Sequence, residues 1–227
     1  MTVGILQCGD PPEALRPEHG SYGAMMQRLL GPERATRIYD VTKGELPVGA
    51  TTCEAYLLTG SPAGVYEDLP WMPPLFAFLQ RVRGQAKLVG ICFGHQAMAQ
   101  AFGGHVVKSP NGWGIGLHRF QVRYRAPWMD DAAEVWVSAS HQDQVVTPPP
   151  EARVTASNAF TPYAGLDYGD AISFQFHPEF GTAFGTDLIE LRRDKYGALA
   201  DAAIASYAHP DDRARVGQWI GRFLDTP

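Results

Sequence analysis

An α/β fold with a mostly parallel central sheet flanked by helices, plus additional antiparallel strands, is predicted by three features of this 227-residue chain. Short apolar runs alternate with helical stretches through the first half, the pattern of parallel strands joined by crossover helices. One run passes straight into a helix at a glycine-flanked cysteine. After that helix the texture changes to short β segments with turn signals between them. The chain is 45% hydrophobic and 19% charged, enough for one large core. It has no internal repeat, low-complexity tract or long linker, so a single domain over 1–227 is predicted.

In chain order, residues 3–8 read as the first strand, and Gly9-Asp10-Pro11-Pro12 breaks it into a polar loop reaching about Tyr22. A helix follows over 23–30 and a strand over 36–41. A third strand, 55–59, stops abruptly at Gly60-Ser61-Pro62-Ala63-Gly64. Residues 71–83 read as a helix whose Pro73 and Pro74 are tolerated only in its first turn, with Leu75, Phe78, Leu79 and Val82 on one face. The run 87–92 is too short for a helix and suits a buried strand. From Gly94 onward, Ala97, Met98, Ala101 and Phe102 recur at helical spacing until Gly103-Gly104 supplies a stop. Strands are predicted over 105–108, 116–124, 134–138 and 152–156. Those over 165–168 and 171–176 flank Gly169-Asp170, a hairpin signal. From Thr182 the chain reads as helical, in three segments ending near Leu224.

Bulk properties exclude several classes of function. Net charge is −5 with basic residues scattered, which argues against a nucleic-acid or membrane surface. Cys8, Cys53 and Cys92 form no C-x-x-C pair, so neither a zinc site nor a disulfide framework is predicted. No apolar run reaches spanning length and no leader-like segment opens the chain, so a soluble cytoplasmic protein is predicted.

Cys92 sits at a strand-to-helix turn with Gly90 and Gly94 two residues away on each side, the pattern of a nucleophile elbow. Such a turn lifts the side chain out of the sheet. The helix N-terminus behind it favours thiolate over thiol. The alternative is an inert buried cysteine whose glycines serve packing.

A cysteine nucleophile needs a base, and the base needs an orienting group. Of seven histidines, His177 is the strongest candidate, because His177-Pro178-Glu179 closes the apolar run 171–176. Alternation along extended backbone puts His177 and Glu179 on one side, so the carboxylate can orient the ring. The alternative is a strand-end histidine satisfied by backbone. His95 falls in the first turn of the elbow helix, where packing or capping suits it. His141, within a predicted loop over 138–145, could meet a substrate. His19, His105, His118 and His209 read as structural or solvated. Residues 59–64 could expose backbone N–H groups to an oxyanion or form an ordinary Gly-Pro loop.

Taken together these residues resemble the class I glutamine amidotransferases. Their nucleophile segment G-x-C-x-G-x-Q is matched by residues 90–96 and their F-H-P-E by 176–179, with His177 lying 85 residues after Cys92. Residues 58–64 and 140–143 fall where the family's substrate loops lie. The resemblance implies a flavodoxin-like fold and a Cys92–His177–Glu179 triad acting without metal or cofactor. It also implies an oxyanion site made by backbone N–H of Phe93 and of Ser61 or Gly60. Gln96, Ser140, His141, Gln142 and Asp143 would grip the α-amino acid end of the substrate. Two positions depart from the pattern. Ser61 stands where many members have glycine, and Trp113-Gly114-Ile115-Gly116 lacks an acidic residue often found there.

No phosphate-binding G-x-x-x-x-G-K-[ST] loop or S-G-G-x-D-S loop is present, so the chain cannot itself activate an acceptor with ATP. It is similar to the glutaminase domains of GMP synthases and to free-standing γ-glutamyl peptidases. Three readings follow. The first is hydrolysis of glutamine or a γ-glutamyl compound through a γ-glutamyl thioester. The second is a glutaminase subunit passing ammonia to a separate synthetase partner. The third is a cysteine-elbow redox sensor or binding protein without turnover, which has no use for His177 and Glu179.

Overall fold

Five parallel strands form one half of the main sheet. In the computed structural model, which describes residues 1–226, they are β1 (Thr2–Gln7), β2 (Ala35–Asp40), β3 (Ala55–Leu58), β4 (Lys87–Ile91) and the last strand of the chain, Ala171–Phe174. Between them run α1 (Arg16–His19), α2 (Tyr22–Leu30), α3 (Met72–Val82) and α4 (Phe93–Ala101). The β-rich second half supplies β5 (His105–Lys108), β6 (Gly114–Val122), β7 (Glu134–His141), β8 (Asp143–Thr147), β9 (Arg153–Ser157) and β10 (Gly165–Asp167), which makes Ala171–Phe174 β11. The chain finishes with α5 (Thr182–Leu191), α6 (Arg193–Tyr196), α7 (Leu199–Ser206) and α8 (Arg213–Asp225).

The main sheet has the order β2-β1-β3-β4-β11-β10-β9-β6-β7. Its first five strands are parallel, in the 2-1-3-4-5 order of flavodoxin-like sheets, and the last four continue it antiparallel. The predicted fold class is therefore present. Alternate residues of the central strands enter opposite cores. Leu6, Tyr56, Leu58 and Leu88 pack with Leu75, Phe78, Leu79 and Met98 under α3 and α4. Val3, Ile5, Leu57, Val89, Ile91, Ile172 and Phe174 pack with Met26, Val216, Trp219 and Ile220 under α2 and α8. Both faces are covered, which is why these strands read as unbroken apolar runs instead of alternating ones.

Several expectations change: the strand predicted over 171–176 stops at Phe174, and the three helical segments predicted after Thr182 are four, with α6 added. The polar loop predicted up to Tyr22 contains a 3-10 turn (Glu13–Leu15) and α1, because Pro17 suits a helix's first turn and Gly20, at φ 80°, ends it one turn later. The loop predicted over 138–145 is mostly strand: β7 runs on to His141 and β8 begins at Asp143. The cause is pairing far away in sequence, since β8 forms a separate two-stranded sheet with β5 through Val106↔Val145 and Lys108↔Asp143. No helix among the described residues is long and apolar enough to cross a membrane.

Candidate active site

β4 delivers Cys92 into a conformation that an L-residue rarely adopts. Its φ is 52° and ψ −102°, and among the described residues it is the one non-glycine with positive φ. Backbone strain of this kind costs on the order of 1–3 kcal/mol and persists only where the surroundings hold it. Here the Cys92 N–H donates to Phe174 O at 2.8 Å on β11, and Cys92 O accepts from Gln96 N at 3.0 Å in α4. Close packing does the rest. A Cβ on Gly94 would lie 2.6 Å from Leu58 Cβ and 2.7 Å from Leu58 O, and one on Gly90 would lie 2.6 Å from Gly94 O. Both glycines let α4 press onto β3 and β4, so the elbow is a packing device as well as a turn.

Gly94→Ala is therefore expected to push α4 away from β3. Because the obstacle is backbone, the cost should reach at least the usual overpacking range of about 1–3 kcal/mol. A lowered urea midpoint together with slower alkylation of Cys92 would show the helix and the thiol moving as one unit. An unchanged midpoint would refute the packing argument.

His177 arrives from the segment after β11. Its N–H donates to Ser138 O at 2.8 Å, an isolated bridge to β7. Its Nδ1 donates to Glu179 Oε1 at 2.7 Å, with both side chains buried. That bond assigns the proton to Nδ1 and leaves Nε2, which has no hydrogen-bond partner among the described residues, directed elsewhere. A Cβ placed on Gly60 would sit 3.0 Å from His177 Cε1 and 3.7 Å from Cys92 Cβ, so the loop after β3, the thiol and the imidazole meet at one point. Burial alone pulls the imidazole down, but the neighbouring Glu179 carboxylate and Cys92 together outweigh it and push His177 well above its ordinary value.

Phe180, which the motif pattern did not single out, lies flat on His177 with ring centroids 3.9 Å apart and planes 5° from parallel. It stacks in turn against Tyr22 of α2, and its carbonyl accepts from Ser138 Oγ at 3.2 Å. An aromatic face against the ring stabilises the imidazolium and fixes its plane. Its position directly after the His-Pro-Glu run was the available signal.

The backbone N–H groups of Gly60, Ser61 and Phe93 have no acceptor among the described residues. The Gly60 loop is pinned by Thr59, whose hydroxyl accepts from Cys8 N at 3.0 Å and donates to Gly60 O at 2.9 Å. Above the thiol opens a cleft of about 190 Å³ lined by Ser61 to Gly64, Cys92, Gln96 and Ser140 to Asp143. It is at the C-terminal ends of the parallel strands, where open α/β sheets bind ligands. A larger cavity of about 890 Å³, beside Lys87 and Asp170, lies at the opposite strand ends, away from the thiol.

The remaining substrate residues divide. Gln96 is buried and donates through Nε2 to Asp143 O at 2.8 Å and Gln175 Oε1 at 3.1 Å, so it braces β8 under the cleft. Asp143 presents its carboxylate beside Gly64, accepting from Tyr66 OH at 3.0 Å. Ser140 and Gln142 line the cleft, but the His141 ring is committed. Its Nδ1 donates to Asp143 O at 3.2 Å, Nε2 faces Thr161 Oγ1 at 3.4 Å, and burial drops the imidazole to about 3. It holds the β7–β8 corner instead of reaching from a loop. His95 is likewise buried and neutral, pushed down to about 3, with Nδ1 at 2.7 Å from Ser173 Oγ.

All three cysteines are free and buried, and burial pushes the Cys8 thiol far up. Among the described residues, three potential metal-ligating side chains come together at Glu18, His19 and Asp187, where His19 and Asp187 already hydrogen-bond each other at 2.7 Å.

Fold and site together define an α/β protein with a cysteine elbow at the carboxyl edge of a parallel sheet, facing a paired histidine and glutamate. The chain belongs to the class-I glutamine amidotransferase family, whose family model matches residues 33–192. It is 27% identical to a glutamine amidotransferase-like protein of Schizosaccharomyces pombe over 84% of each chain. It is 34% identical to the GMP synthase of Thermus thermophilus over 65% of this chain, and that match spans only 29% of the longer relative. Gamma-glutamyl peptidase 4 of Arabidopsis thaliana is 25% identical over 78% of this chain and 75% of its own. The crystal structure of a glutamine amidotransferase from Thermotoga maritima superposes with a TM-score of 0.80 at 20% identity, covering 99% of both chains, which is a likeness of fold.

Proposed function

We propose that this protein hydrolyses the γ-glutamyl amide bond of glutamine or a γ-glutamyl compound by covalent catalysis at Cys92. The observation that carries the reading is the strained Cys92 elbow meeting the Glu179-paired His177 at the Gly60 loop. The Cys92 sulfur attacks the γ-carbonyl carbon, and backbone N–H of Phe93 and of Gly60 or Ser61 stabilises the oxyanion. Collapse breaks the C–N bond as the His177 imidazolium gives its Nε2 proton to the departing amine. His177 then takes a proton from water, which attacks the thioester, and the C–S bond breaks to release glutamate. Glu179 holds the ring in the tautomer both steps need. Asp143 and the β7–β8 corner bind the α-amino acid end.

The test is product release from glutamine and from several γ-glutamyl dipeptides, followed before the steady state. An initial burst of amine ahead of glutamate is the sign of an accumulating acyl-enzyme. Glutamate and amine rising together, with no adduct on Cys92 by mass spectrometry after rapid acid quench, would count against the thioester. A protein inert on the whole panel would remove the hydrolytic reading.

The likeness to GMP synthases supports a second reading, in which the chain supplies ammonia to a separate synthetase. Weak turnover alone and strong stimulation on adding a co-purifying synthetase would favour it.

A further inference from the structure

The cleft over Cys92 carries more positive charge than a γ-glutamyl group can use. Lys108 at the end of β5, Arg192 after α5 and Lys195 on α6 line it, against the carboxylates of Glu67 and Asp143. Three cations against two carboxylates invert locally the net charge of −5 carried by the whole chain. Both carboxylates already accept hydrogen bonds, Glu67 from Gly64 N at 2.7 Å and Asp143 from Tyr66 OH at 3.0 Å. None of the three cations forms an ion pair among the described residues.

Lys195 instead lies over the Trp113 ring, its Nζ 4.3 Å from the centroid. Burial, then Arg192 and Lys108, lower its proton affinity, so Lys195 lies within repelling range of both other cations. An anion placed among them would relieve that repulsion.

The γ-glutamyl half of any substrate is a zwitterion. Its α-carboxylate can engage one cation and its α-amino group one acid, which leaves two cations facing a single carboxylate, a net positive charge. Ammonia, the amine released from glutamine, offers them nothing. Lys195 also lies beyond residue 192, where the family match ends, on a short helix outside the matched region.

We propose that Lys108, Arg192 and Lys195, with Trp113 beneath Lys195, form a leaving-group subsite for an anionic amine. The preferred substrate is then a γ-glutamyl conjugate carrying a carboxylate on the half that is released. This rests on the hydrolytic reading above and names its substrate class. The reaction consumes one water and yields glutamate and a carboxylate-bearing amine, such as an amino acid or short peptide.

The experiment compares γ-glutamylglycine with its neutral amide, γ-glutamylglycinamide, and with glutamine. Turnover is measured for the wild type and for an Arg192→Gln/Lys195→Gln double variant, and affinity by calorimetry on Cys92→Ala. The expected result is a preference of about tenfold or more in kcat/KM for the free carboxylate, expressed mainly in KM. The preference should fall to near one in the double variant. Equal kcat/KM for the acid and its amide in the wild type overturns the subsite, as does a preference that survives in the double variant. The binding arm separates the two claims. If nothing turns over but Cys92→Ala still binds the acid about tenfold tighter than the amide, the hydrolytic reading fails and the subsite stands. Equal binding, or none of either, overturns the subsite itself.

Discussion

Cys92→Ala is expected to remove glutamate release altogether, and His177→Ala to lower kcat by about 10²- to 10⁴-fold, the contribution of a positioned general acid–base. The double variant should be no worse than Cys92→Ala alone, because the histidine has no reaction to assist once the thiol is gone. No other histidine is placed to substitute. His95 is one turn away on the same helix, but it is bound to Ser173 and stays neutral down to about pH 3. His141 is held between Asp143 and Thr161.

Glu179→Gln isolates the electrostatic part. It keeps the shape of the side chain and removes the charge that opposes burial in raising His177. The imidazole's proton affinity then drops, so less imidazolium is present at neutral pH to protonate the leaving amine. A loss of about 10²-fold is expected, with the alkaline limb of the kcat–pH profile moved to lower pH. A kcat in His177→Ala within about tenfold of wild type would assign the base elsewhere and dismantle the triad.

Acidification is expected to destabilise the fold steeply from the neutral side. His95 and His141 are held neutral by burial, each lowered from 6.5 to about 3. Between those values the unfolded chain binds two protons that the native state does not, so stability falls as pH falls. The slope approaches about 2.7 kcal/mol per pH unit, twice the value for one proton. His118, also lowered by burial, acts in the same direction. His177 has the opposite shift. Its contribution is fully present below pH 6.5 and is lost only as pH rises through its raised native value, so it does not offset the acid loss. Urea midpoints between pH 7 and 4 measure the slope, and His95→Gln should reduce it by about half. A flat profile from pH 7 to 5 would mean that one or both rings take up protons inside the native protein.

What was legible in the sequence was what short-range geometry writes into it. A strand buried on both faces needs a continuous apolar run, a nucleophile elbow needs small residues two places either side of its tip, and the His177–Glu179 contact is made within one turn, closed by Phe180 N–H to His177 O at 3.3 Å, and not along an extended strand as the alternation predicted. Each constraint acts within a few residues, so the segments of the parallel strands, Cys92 and the His177–Glu179 pair are all readable from the chain alone. The β7–β8 corner is not. Its polar residues carry no strand period, and they extend because β5, some forty residues earlier, offers an unpaired edge.

The meeting of His177 with Cys92 was expected from the resemblance, but its geometry belongs to the tertiary fold. β11 lies next to β4, Ser138 of β7 pins the His177 backbone, and Phe180 clamps the ring. The cationic wall of the cleft is the extreme case, because Lys108, Trp113, Arg192 and Lys195 come from segments with no shared periodicity. The sequence by itself determined the elements and the elbow, since these follow from sterics between near neighbours. Only the tertiary structure decided which remote side chains share the space above the thiol, because that depends on sheet order and strand pairing, which leave no local trace.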